Sequence, residues 1–307
     1  MRVADLEIID GDEADPARVP DLLVEIPHGA TTASDYRRVR GLLRGPLPAD
    51  LIHFFHVNTD EGAPELGRAI ARAVVAARPH LRAKVVRCRI PRTFIDTNRK
   101  ADTAGGNLRE GGITPGLQPY VVDPTDQALL RDLHARYQAL CDGLYAEVCG
   151  AGGLALIPHT YAPRSVGIER VDTDIVTNLH RVYAPDLADT WPLRPEVDLI
   201  TRTPKGTDLA ADLAAEVFEA LAAAGVHVVD GDTYALHPAT MGAQRAAAWP
   251  GQTLCWEVRR DLLADPWPPF SQARICDERV ARFVPAFADA TAAWLDRRTR
   301  PTSGPRR

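Results

Sequence analysis

The 307-residue sequence contains no apolar run long enough to cross a bilayer, which removes membrane-spanning helical proteins from consideration. It also lacks an excess of positive charge. Its 36 lysines and arginines stand against 41 aspartates and glutamates, for a formal net charge of -5. Phosphate backbones call for a basic surface, so no nucleic-acid partner is expected, although local basic clusters remain able to hold a small anion. The opening MRVADLEIIDGDEADP has no basic segment followed by an apolar core. No secretory signal is expected from it, and the expected location is the cytoplasm, with no membrane partner. None of the five cysteines (Cys88, Cys141, Cys149, Cys255, Cys276) forms a CxxC pair, and an odd count in such a chain points to free thiols. No internal repeat and no linker divide the chain. Residues 1–296 are expected to form a single domain and 297–307 a basic, proline-containing tail.

What is present is an alternation of short apolar runs and longer amphipathic ones. Strands are expected at 3–9, 22–26, 52–57, 84–90, 154–157, 197–202, 226–229 and 253–258. Helices are expected at 64–77, where Leu66, Ile70 and Val74 share a face, and at 125–148, 207–224 and 276–295. Asn58 or Thr59 is positioned to cap the helix at 64–77. Residues 31–51 read as a polar loop with a short helix, 100–124 as a long glycine- and proline-rich loop of the functional kind, and 161–195 as irregular. Strands alternating with helices predict a three-layer α/β/α domain with a mostly parallel or mixed central sheet.

Polar residues recur where these apolar runs stop. Leu22-Leu23-Val24-Glu25-Ile26-Pro27 leads to His28 and Gly29, and 154–158 leads to His159. Asp60 and Glu61 follow the run at 52–57, while Arg92, Asn98 and Arg99 follow the run at 84–90. Glu257 lies inside the apolar run at 253–258. In open α/β sheets ligands bind at the carboxyl ends of the strands, and Gly29 lets backbone approach a ligand closely. Each residue alone has a plain structural explanation: a strand end, a helix cap, a surface charge, or an ion pair of Glu257 with Arg259 or Arg260. Together they resemble the parts of a metal hydrolase, with imidazole and carboxylate ligands, a cationic clamp and a base.

Over most of residues 22–263 the chain resembles the N-formylglutamate amidohydrolases, a family related in fold to the zinc carboxypeptidases and aspartoacylases. The resemblance is carried by Ile26-Pro27-His28-Gly29, by Thr59-Asp60-Glu61-Gly62-Ala63, by Leu254-Cys255-Trp256-Glu257-Val258-Arg259, and most specifically by Arg92 followed by Asp96-Thr97-Asn98-Arg99. Two departures stand out. The family's Asp-x-His-Ser is Ile157-Pro158-His159-Thr160 here, and the carboxypeptidase His-x-x-Glu pair is absent because Thr31 occupies its last place.

The resemblance implies a zinc-carboxypeptidase-like (phosphorylase/hydrolase-like) fold. It implies Zn2+, or another divalent cation, held by His28, Asp60 and His159, with Glu61 and then Asp35 as the alternatives to Asp60. It further implies Glu257 as general base, Arg92 as the oxyanion donor, and Asn98 with Arg99 as the grip on a substrate carboxylate, with Asp96 orienting Arg99 or Arg92. Tyr234 precedes Glu257 much as the substrate-contacting tyrosine precedes the base in carboxypeptidases, and His237 lies close to it. The implied activity is cleavage of the amide C–N bond of a small anionic N-acyl amino acid, N-formyl-L-glutamate first, by a monomer or small homo-oligomer. The alternatives are the same chemistry on another N-acyl or carboxylate-bearing amide, or a non-catalytic carboxylate or metal binder.

Overall fold

In the computed structural model, which describes residues 1–299, Leu22, Leu23, Val24 and Ile26 are wholly buried in a strand at the centre of a mixed sheet. Its strands are β1 (Ala4–Asp10), β2 (Leu22–Ile26), β3 (Arg82–Cys88), β4 (Leu154–Tyr161), β5 (Val197–Ile200), β6 (Val228–Asp230) and β7 (Thr253–Arg259). Their spatial order is β1-β3-β2-β4-β7-β5-β6. The four central strands β3, β2, β4 and β7 run parallel, β1 is antiparallel to β3, and the β5–β6 pair joins β7 antiparallel.

Strand alternation divides the buried side chains between two cores. Leu22, Val24 and Ile26 of β2 join Leu254, Trp256 and Val258 of β7 on one face. That face is covered by α3 (Ala63–Ala77), α6 (Leu213–Ala223), α8 (Asp277–Ala281) and α9 (Val284–Thr299). The other face takes Leu23, Ala155, Ile157 and Cys255. It is covered by α1 (Ala33–Arg40), α2 (Leu51–Asn58), α4 (Pro124–Val148), α5 (Ile175–Val182) and α7 (Met241–Ala248). The architecture is three-layer α/β/α with a mixed central sheet, as the alternation of runs predicts.

Several local expectations fail for identifiable reasons. The run at 52–57 is helix α2 rather than a strand, because Leu51, Phe54 and Phe55 fall on one helical face and are buried together. The cap of the following helix is Gly62, at φ 91°, not Asn58 or Thr59. The Thr59 hydroxyl instead donates to the Ala30 carbonyl at 2.8 Å. Helix α6 begins later than expected, since Leu209 N–H bonds the Thr201 carbonyl and Ala211 N–H the Thr253 carbonyl, which holds that stretch extended. The helix expected at 276–295 is broken between α8 and α9, where Pro285 cannot continue the α8 hydrogen-bond ladder. Residues 161–195 contain α5, and α7 was not anticipated. Helix α9 continues through the expected boundary at 296 to Thr299, and the rest of the expected tail, 300–307, lies outside the described residues.

Candidate metal centre

Three segments bring their polar ends together at the carboxyl edge of the parallel strands. His28 comes two residues after β2, Asp60 lies in the turn between α2 and α3, and His159 is carried by β4. The turn around Asp60 is anchored by the Thr59–Ala30 bond and by Gly62, where a Cβ would meet Leu263 Cδ1 at 2.8 Å in a left-handed backbone conformation. Gly29 has a different cause from the one expected. A Cβ there would meet Arg87 Cγ at 2.7 Å, so packing within the protein requires the glycine.

Asp60 Oδ2 lies 3.1 Å from His28 Nδ1 and 2.8 Å from His159 Nδ1. The candidate ligand atoms of the three residues all fall within 4.8 Å of one another, and all three side chains are buried. His28 Nε2 is held at 2.7 Å from Asp96 Oδ1, which fixes the ring so that Nδ1 faces Asp60. Burial pushes the Asp60 carboxyl up, but the facing His28 and His159 rings outweigh it and hold the group well below the usual carboxylate range. Two imidazoles, one ionised carboxylate and an outer carboxylate behind His28 are a donor set that suits a zinc-type ion.

Glu61 and Asp35, the alternatives to Asp60, are engaged elsewhere. Glu61 Oε1 accepts from Ala273 N–H at 3.1 Å and sits 3.6 Å from His56 Nδ1. Asp35 accepts from the guanidinium groups of Arg38, Arg87 and Arg89 and closes the capping box of α1.

Arg92 donates to Asp96 Oδ2 at 2.8 Å and reaches Asp60 Oδ1 at 3.5 Å. Asp96 thus holds both His28 and Arg92, a wider part than the orienting of an arginine. Burial lowers the Arg92 pKa, but Asp96 and Asp60 outweigh it and keep the guanidinium charged. Glu257 lies beside His159 in the β4–β7 ladder, and its Oε2 is buried without a hydrogen-bond partner among the described residues. Burial raises its pKa to about 7, with Asp60 adding to the rise and His159 and Arg92 opposing it. The burial does not come from its sequence neighbours Trp256 and Val258, which point into the opposite core. Arg259 pairs with Asp261, and Arg260 donates to the carbonyls of Val57 and Thr160, so neither forms the ion pair weighed for Glu257.

Asn98 is fixed by α7, whose first turn has free N–H groups. Met241 N–H bonds the Asn98 carbonyl at 3.1 Å and Gly242 N–H bonds Asn98 Oδ1 at 2.9 Å, leaving the Asn98 amide 3.4 Å from His159 Nε2. Arg99 donates to the Asn98 carbonyl, and its Nε is buried without a partner among the described residues. Burial lowers the Arg99 pKa, with Asp96 opposing. Tyr234, 42% exposed, lines a cavity with Arg92 and Glu257. His237 is not among the residues lining it, and its Nδ1 accepts from Ala239 N–H in its own loop. Arg194 was missed by the sequence reading. It lines the same cavity, with its guanidinium over the rings of Tyr161 and Tyr234, 5.1 and 5.9 Å from their centroids.

Fold and site together describe a three-layer α/β protein with a candidate metal centre at the carboxyl ends of its central strands, beside an unpaired acid and a guanidinium. Two solved structures share this fold over nearly their whole length. The N-formylglutamate amidohydrolase from Ralstonia eutropha JMP134 is 17% identical with a TM-score of 0.55, covering 97% of this chain and 99% of that one. The gene product Atu2144 from Agrobacterium tumefaciens is 17% identical with a TM-score of 0.58, covering 97% of this chain and 96% of that one. No protein-family model matches the sequence, and no curated protein does.

Proposed function

We propose that this chain is a metal-dependent amide hydrolase of the N-formylglutamate amidohydrolase family, cleaving the C–N bond of an N-acyl amino acid. The observation that carries the reading is the convergence of His28, Asp60 and His159 next to Glu257, whose buried Oε2 has no partner. The fold shared with the Ralstonia eutropha enzyme supports it. His28, Asp60 and His159 would hold Zn2+ or another divalent cation. Such an ion acts as a Lewis acid and lowers the pKa of water toward neutrality.

The chain's own groups supply the rest. Glu257 takes a proton from the attacking water as the water oxygen bonds the acyl carbon. Arg92, held by Asp96 and Asp60, donates to the carbonyl oxygen as charge develops there. The C–N bond breaks, and the proton on Glu257 passes to the departing nitrogen, leaving a carboxylic acid and an amine. Arg99 is a part-buried cation whose side chain donates to a backbone carbonyl, and a substrate carboxylate is the partner that compensates it.

N-formyl-L-glutamate is the first substrate to try, with release of glutamate as the readout. The Glu257→Gln variant is expected to keep substrate binding and lose hydrolysis. Hydrolysis at the wild-type rate in that variant would remove Glu257 from the mechanism.

A further inference from the structure

The cavity that Arg92 and Glu257 open into has a second wall, and residues 161–195 build most of it. The charged residues lining the cavity are four arginines, Arg92, Arg164, Arg194 and Arg260, and one acid, Glu257. Two of the arginines are paired with carboxylates. Arg92 meets Asp96 and Asp60, and Arg164 meets Asp189 at 3.1 Å. The other two are not. Arg194 donates to Ser165 Oγ and the Ala162 carbonyl, and Arg260 to the carbonyls of Val57 and Thr160. Neither forms an ion pair with a carboxylate among the described residues.

Arg260 is 2% exposed, and its Nε is buried without a partner among the described residues. Arg194 is half-buried, so its guanidinium is within reach of a ligand. Tyr183, just past the end of α5, lines the same cavity, and its hydroxyl is also buried without a partner among the described residues. Both arginines are close enough to act on that hydroxyl: burial raises its pKa, and Arg260 and then Arg194 oppose the rise. A buried cation without a counter-ion is costly, and backbone carbonyls orient it without neutralising it. An anion in the cavity supplies the missing charge. Guanidinium and phenol groups are donors that suit carboxylate oxygens. Arg99, which takes one substrate carboxylate in the proposed mechanism, does not line this cavity. The anion that belongs here is therefore a second one.

On the amide-hydrolase reading, which this inference rests on, we infer that the substrate is a dicarboxylate whose second carboxylate is bound by Arg194, Arg260 and Tyr183. That group sits either at the far end of the acyl chain or on the amino-acid side chain, and it presents the same chemistry to the arginines from both places. Two pairs of substrates test this, each exchanging one carboxylate for a carboxamide of nearly the same size. N-formyl-L-glutamate against N-formyl-L-glutamine reads the side-chain source, and N-succinyl-L-alanine against N-succinamoyl-L-alanine reads the acyl source. In at least one pair the acid is expected to exceed the amide in kcat/KM by about ten- to hundredfold, the usual worth of a hydrogen bond to a charged group. Arg194→Gln is expected to bring that ratio close to one, and Arg260→Gln, the second variant, to move it in the same direction. A ratio between two substrates does not depend on how much of a variant folds. Ratios near one in both pairs, or a preference that Arg194→Gln leaves unchanged, overturn the inference and leave the hydrolase reading standing. No turnover of any of the four compounds overturns the hydrolase reading instead. The subsite is then decided by the dissociation constants of the same compounds for the zinc-loaded protein. Tighter binding of an acid than of its amide, lost in Arg194→Gln, supports it, and equal binding within both pairs overturns it.

Discussion

His159 and Glu257 are directly paired in the parallel β4–β7 ladder, so their side chains leave the sheet on the same face. The alternation that sends Leu254, Trp256 and Val258 into one core sends Cys255 and Glu257 to the other. A candidate ligand and a candidate base are thereby set side by side by the sheet itself, on rigid elements.

Glu257 is the residue with the largest expected effect. Replacing a positioned general base costs typically about 10²–10⁴ in rate, so Glu257→Gln should lower kcat by that much while bound metal stays unchanged. Its titration gives an independent check on the metal-free protein. The folded pKa is raised to about 7, so between the ordinary carboxylate range and that value the folded chain holds a proton that the unfolded chain has released. Stability then falls as pH rises through this window and is lowest above it. Thermal melts of chelated protein should show Glu257→Gln stabilising more at pH 8 than at pH 5. Equal shifts at the two pH values would contradict the raised pKa.

Asp96 touches no substrate in the proposed mechanism, yet it holds His28 Nε2 and the Arg92 guanidinium. Outer carboxylates of this kind are worth about 10–100-fold in metal affinity. Asp96→Asn should weaken metal binding by about that factor, measured by competition with a chelating dye. Wild-type affinity would limit Asp96 to Arg92.

The two arginines should separate kinetically. Arg92→Ala is expected to lower kcat by about 10²–10³, the usual cost of losing a donor to a developing oxyanion. Arg99→Lys is expected to raise KM with kcat less affected, because it weakens a two-pronged grip on a carboxylate that binds equally in ground and transition states. A variant pair with the two patterns exchanged would reverse the assignments.

Asp35 predicts an acid-side stability effect. Burial pushes its carboxyl up, but Arg87 and the Thr32 hydrogen bonds outweigh this and hold the folded pKa below the ordinary value. Its contribution is present above the unfolded pKa and is lost as pH falls through the folded one. Asp35→Asn should cost about 3–5 kcal/mol near pH 7, the usual range for breaking a buried charge network. In urea melts the gap to wild type should shrink as pH falls below about 4. A gap constant down to pH 2 would show the loss is not electrostatic.

How much of this was legible depends on whether the signal was local. His28 and His159 are readable because each ends a continuous apolar run in a parallel strand, and such strands share an edge. Asp60 was placed correctly beside them although its flanking run was misread. Phe54, Phe55 and Leu51 satisfy a helical face as well as a short apolar strand, and a six-residue window does not separate the two. Glu61, adjacent in sequence, is held instead by the Ala273 N–H, 212 positions along the chain, a partner that residue types alone do not reveal. The outer role of Asp96 was only half visible, because its bond to His28 spans 68 positions along the chain. The wall made by residues 161–195 was not visible at all. Its apolar residues are scattered among prolines and charges, and they gain a common face only when α5 packs against α2. Tyr234 and His237 show the same limit: three residues apart, one reaches the cavity and the other bonds within its own turn.

Metal content tests the central claim most directly. Purified protein analysed for elements, and assayed before and after chelation, should carry about one zinc or other divalent ion per chain. Activity should disappear with the ion and return with it, and His28→Ala and His159→Ala should each lose both. Protein without a bound ion that hydrolyses its substrate unchanged in the presence of a chelator would contradict the metal centre formed by His28, Asp60 and His159.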